Sequence, residues 1–97
     1  MLQHYVFIKY RSGTPEAHIE EFRSRMLALC AQIAEIASLE VGRDILRDAR
    51  SWDLVLDMRF VSLEALRRYQ QHPAHVAVMQ FNQPCVADVA SVDFFAA

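Results

Sequence analysis

Glycine is nearly missing from this chain: two residues in 97, Gly13 and Gly42, and they stand far apart. No glycine-rich phosphate loop exists, so a nucleotide cofactor is not expected, and no cofactor of any kind is indicated. Cysteine is equally scarce. Cys30 and Cys85 are widely separated and form no CxxC pair, so neither a disulfide framework nor a zinc framework follows from them. Cys30 falls on an apolar helical stripe and is expected as a small buried hydrophobe. Basic clusters are absent too. Ten basic residues face 12 acidic ones, the formal net charge is −2, and Arg67–Arg68 is the only adjacent basic pair. Nucleic-acid binding needs a clustered basic stripe, so it is excluded as an expectation. No apolar run approaches membrane-spanning length. The start, "MLQHYVFIKY", has no basic region, long apolar stretch or small-residue cleavage site, so a cytoplasmic location is expected.

What remains is rich in apolar residues, 54% of the chain with only three prolines, as in one packed domain over residues 1–97. "LQHYVFIKY" reads as a strand. Its even positions, Leu2, His4, Val6, Ile8 and Tyr10, share one face, and Gln3, Tyr5, Phe7 and Lys9 the other. Thr14 as cap and Pro15 at the first helical position open an amphipathic helix expected over Pro15–Ala37. It carries Ile19, Phe22, Met26, Leu29, Cys30, Ile33 and Ile36 at three- and four-residue steps. "SLEVGRDIL" reads as a second strand. "WDLVLDMRF" alternates strictly, with Trp52, Leu54, Leu56, Met58 and Phe60 on one side.

Ser62 caps a short helix bearing Leu63, Leu66 and Tyr69. Pro73 cannot continue it, yet Pro at a first helical position is favourable. A new helix is therefore expected to start there and run to about Gln83, with His72 as its cap. "VADVASVDFFA" closes the chain as a strand. The order is β-α-β-β-α-β with a broken second helix. The fold class is α+β: a ferredoxin-like split βαβ sandwich whose antiparallel four-stranded sheet has its helices on one face.

Helices on one face leave the other bare. That face offers Tyr5, Phe7, Val55, Val92 and Phe94, and burying each would stabilise by roughly 1.5–3 kcal/mol. The expected partner is a second copy of the chain, sheet against sheet, forming an α/β barrel. His18 is expected on the solvent side of the first helix.

Three stretches, "HYVFIKY", "VGRDILRDARSWDLVLDMRF" and "YQQHPAHVAVMQF…VDF", span nearly the whole chain and together resemble the stress-responsive dimeric α/β-barrel (Dabb) family. The resemblance implies a ferredoxin-like protomer in a homodimer of facing sheets. A plant polyketide cyclase of that family works without metal or cofactor. It uses a tyrosine and the second histidine of the HPAH block, assisted by a first-strand histidine. By that match Tyr69, His75 and His4 are the candidate catalytic residues. A third-strand histidine of the cyclase falls here at Leu54, which argues against the same substrate.

The residues themselves allow two readings of His75. If Pro73 begins a helix, His75 lies in the first turn, where the positive helix end favours a neutral ring that can act as a base beside a tyrosyl hydroxyl. Alternatively, His75 is a half-buried structural histidine joining two helices. A metal site is not expected: His72 and His75 are separated by the break, and no HExxH or carboxylate cluster completes a ligand set. No serine sits in a nucleophile elbow, so hydrolysis is not indicated. The expected pocket is lined by His4, Val6, Ile8, Phe22, Leu54, Leu56, Tyr69, His75, Val78 and Met79. It would take a small carbonyl-bearing or aromatic compound. Three functions fit: a cofactor-independent lyase, cyclase or isomerase; a non-catalytic, stress-related ligand-binding dimer; or, by fold analogy, a cofactor-independent oxygenase.

Overall fold

The apolar alternation of the first residues becomes strand β1, Leu2–Tyr10, in a computed structural model that describes residues 1–97. Helix α1 follows at Glu16–Gln32, then β2 at Ser38–Arg43, β3 at Leu54–Phe60, α2 at Leu63–Gln71, α3 at Pro73–Asn82 and β4 at Val86–Phe95. A 3₁₀ turn over Gln83–Cys85 joins α3 to β4. The strands form one antiparallel sheet in the order β2-β3-β1-β4. This is the ferredoxin-like βαββαβ arrangement, with the second helix split in two.

The even residues of β1 and β3 turn toward the helices. Val6 pairs with Leu56 and Ile8 with Leu54, and these meet Phe22, Met26 and Leu29 of α1 in a buried core. On the opposite face Tyr5 stacks on Phe94, with ring centroids 5.8 Å apart, and Phe7 packs on Trp52 at 6.3 Å. Val92 and Phe94 remain 53% and 43% exposed in the single chain. That face carries no helix.

Five local expectations are corrected. Helix α1 begins after Pro15 and not at it, because Thr14 donates its hydroxyl to the Arg11 carbonyl and gives the helix no cap. It ends at Gln32 because Ile33 turns extended and Ala37 N–H then pairs with the Arg59 carbonyl, drawing the chain into β2. Strand β2 stops at Arg43. There the Asp44 carboxylate accepts from the Arg47 backbone, in a turn that holds Arg47 at φ 52°. Trp52 does not continue the inward alternation of β3. Asp53 is tied to β1 through Tyr10 N–H and the Ile8 carbonyl, and Trp52 lies against Phe7 on the bare face. Cys30 is exposed, and both cysteines are free.

Candidate functional site

The break at Pro73 organises the local chemistry. In an unbroken helix Ala74 N–H would donate to the carbonyl four residues earlier, that of Gln70. Here His72 ends α2 and caps α3, and its Nδ1 accepts Ala74 N–H at 3.0 Å. The Gln70 carbonyl is left free by that diversion, and His75 Nδ1 donates to it at 3.0 Å. A carbonyl oxygen has no proton to give. The neutral His75 ring therefore carries its proton on Nδ1 and its lone pair on Nε2.

His75 packs against Tyr69 with ring centroids 4.4 Å apart. Burial holds its pKa below the ordinary histidine value. The Gln70 hydrogen bond opposes that shift, and His4 and His72 add to it. Tyr69 is 2% exposed, and its pKa is raised well above the usual phenol range, chiefly by burial. Its hydroxyl stays protonated and is a donor near neutral pH. His4, on the inner face of β1, donates from Nδ1 to the carboxylate of Asp93, its cross-strand neighbour on β4. A carboxylate accepts only, so the lone pair of neutral His4 also lies on Nε2.

These side chains meet around a cavity of about 80 Å³ between the sheet and α3. Of the ten residues expected to line a pocket, His4, Val6, Ile8, Leu56, Tyr69, His75 and Met79 do so. Phe22, Leu54 and Val78 do not, and that expectation is corrected. Phe22 and Leu54 are consumed by core packing at 0% and 2% exposure, and Val78 is buried on the neighbouring stripe of α3. Asn82, Gln83, Val86 and Val89 complete the lining. A shallow groove of about 210 Å³ adjoins it along α3 and shares His75, Met79 and Gln83.

His18 corrects a second expectation. It does not face solvent: it stacks on Phe81, centroids 4.6 Å apart, and its Nε2 lies 3.0 Å from Asn82 Oδ1. Tyr10 donates to the same oxygen at 2.8 Å. Asp93 was legible as an inward residue, since Val92 and Phe94 on either side belong to the bare face. Its partner depends on strand register, which no single-strand pattern shows. No three His, Cys, Asp or Glu side chains converge as metal ligands would.

The sequence profile of the Stress Responsive A/B Barrel Domain matches residues 2–96. The chain belongs to that family. Among solved structures, this Dabb chain is similar to a dimeric ferredoxin-like protein of unknown function from Bacteroides fragilis. That match has TM-score 0.89 and 27% identity, covering 98% of this chain and 95% of the other. A dimeric ferredoxin-like protein of unknown function from Thermobifida fusca matches with TM-score 0.88 and 23% identity over 98% and 90%. A hydroxynitrile lyase from Passiflora edulis matches with TM-score 0.87 and 15% identity over 99% and 93%; both of these likenesses are of fold. No curated protein matches the chain. No helix of this Dabb protein is long and apolar enough to cross a membrane.

Proposed function

We propose that this Dabb protein is a homodimer whose protomers each bind the head of a small carbonyl compound in the cavity between sheet and α3. There His75 removes a proton next to the carbonyl, without metal or cofactor. The observation that carries this reading is the pairing of a half-buried His75, its lone pair directed by the Gln70 carbonyl to Nε2, with a protonated Tyr69 at the same cavity. A neutral imidazole is the base and the phenol hydroxyl is the acid that supports the developing oxyanion. His4, oriented by Asp93, relays or holds a proton beside them.

The cavity volume limits the ligand. About 80 Å³ is half of the roughly 150 Å³ that accommodates benzene in a protein core. Only a head of a few heavy atoms is enclosed, and any longer tail lies in the adjoining groove by Val76 and Gln80. A hydroxynitrile lyase on the same fold is compatible with acid–base chemistry in such a site. Acetone is the simplest probe. In D₂O the protein should accelerate exchange of its methyl protons, followed by ¹H NMR, and His75→Ala should not. Exchange at the buffer rate with the unmodified protein would reject the catalytic reading.

The dimer places Tyr5, Phe7, Val55, Val92 and Phe94 at the contact between two sheets. Support comes from the uncovered aromatic face and from similar proteins that are dimeric. Light scattering should give about twice the 11.2 kDa chain mass. Phe7→Asp should dissociate or unfold it, because a carboxylate would be buried without a partner. A monomeric native protein would overturn this part.

A further inference from the structure

Asn82 has no role in the reading above, yet it is among the most buried polar residues of the chain, at 3% exposure. Its Oδ1 is fully engaged, by Tyr10 Oη–H at 2.8 Å and by His18 Nε2 at 3.0 Å. With the oxygen held by two groups on the Tyr10 side, the amide nitrogen points elsewhere. That nitrogen has no hydrogen-bond partner in the chain, yet it is not one of the polar atoms sealed in without one, which are Arg43 Nε and Asp57 Oδ1. It therefore opens on free space, and the one cavity Asn82 lines is that of Tyr69 and His75. A donor that borders a cavity and has no partner in the chain is met there by water or by an acceptor that a ligand brings.

We propose that Asn82 is a specificity-determining residue of the cavity: its side-chain N–H donates to the oxygen of the bound head group, so that carbonyl ligands are selected over apolar ones of the same shape. The inference rests on the cavity being the ligand site. Tyr10 and His18 act through Asn82 and set which end of the amide faces the ligand. The Tyr10 pKa is pushed up to about 12, by burial above all, so its hydroxyl keeps the proton it donates to Oδ1. A site built to hydrogen-bond an oxygen rejects the analogue lacking it far more strongly than an apolar pocket rejects a missing methylene.

The test compares acetone with isobutene, in which a CH₂ replaces the oxygen, by NMR titration of ¹⁵N- and methyl-labelled full-length protein. Acetone should move the Asn82 side-chain N–H signals downfield; isobutene should not, although both perturb Met79. Asn82→Asp keeps an oxygen for Tyr10 and His18 and removes the donor. It should weaken acetone at least tenfold and isobutene less than twofold. Should that variant fail to fold, the Asn82 N–H response of the unmodified protein decides alone. Acetone that binds both proteins equally, or leaves the Asn82 signals unmoved, overturns the role of Asn82 and leaves the cavity reading standing. Acetone that perturbs neither Tyr69 nor His75 overturns both.

Discussion

Two hollows of this molecule differ in a way that size does not capture. The larger, about 400 Å³, is a crevice beside the β2–β3 loop, lined among others by Arg11, Glu16, Arg43, Asp44, Arg47 and Asp53. The smaller, about 80 Å³, is the cavity of His4, Tyr69, His75 and Asn82. In the crevice two arginines are bridged to acids, though Arg43 Nε itself stays without a partner. Arg43 reaches Glu16 and Glu20 at 3.0 and 2.9 Å, and Arg47 reaches Asp44 and Asp53 at 3.1 and 2.6 Å. Around the cavity, the Tyr69 hydroxyl and the Asn82 amide nitrogen have no hydrogen-bond partner in the chain, and His75 is held only through Nδ1. A crevice crossed by four ion pairs is a surface held together. An apolar cavity with unpaired donors has the make-up of the ligand site proposed above.

The sharpest way to break this contrast is His75→Ala. It should lower protein-catalysed acetone exchange by about 10²- to 10⁴-fold, the usual worth of a positioned base. Loss of less than tenfold would put the base elsewhere. Tyr69→Phe keeps the ring against His75 and removes only the hydroxyl. It should lower exchange about tenfold, as for one hydrogen bond of ordinary strength, with little change in thermal stability. Pro73→Ala should let Ala74 N–H return to the Gln70 carbonyl. His75 would then lose its acceptor, and ring ¹⁵N shifts should show the Nδ1–H tautomer no longer dominant. An unchanged tautomer would mean that the break does not direct the ring. The smallest effect belongs to the crevice. Arg47→Ala should leave acetone exchange and the His75 titration unchanged, and a clear loss of either would join the two hollows into one site.

Sequence patterns carried the fold far because period and punctuation are local properties. The alternation in "HYVFIKY", Ser62 before an apolar stripe and Pro73 after His72 each specify their element with no help from distant residues. The Ser62 cap, which accepts Ala65 N–H at 3.1 Å, is of the kind worth about 1 kcal/mol. Pro73 as the first helical residue likewise placed His75 in the first turn of α3. What stayed hidden depends on partners far along the chain. His18 looked solvent-facing on α1 alone and is covered because Phe81, 63 residues later, stacks on it. Trp52 continued an alternation that the Asp53–Tyr10 hydrogen bond interrupts. Phe22 and Leu54 were inward as expected, and only packing decides whether an inward residue fills the core or borders a void. The amide orientation of Asn82 has no trace in the sequence, since it is set by Tyr10 and His18 from two other elements.

The proposed base, His75, is half-buried with its neutral lone pair on Nε2, and an NMR titration of its ring tests its charge and its tautomer at once. The His75 pKa should lie below the ~6.5 of a free histidine, with Nδ1–H the neutral tautomer throughout. Unfolded chains would then take up the proton first as pH falls. The linked stability is fully present above pH ~6.5 and is lost as pH drops through the folded-state value. A His75 that titrates at or above ~6.5, with its neutral proton on Nε2, would remove the base and leave the HPAH block as a joint between two helices.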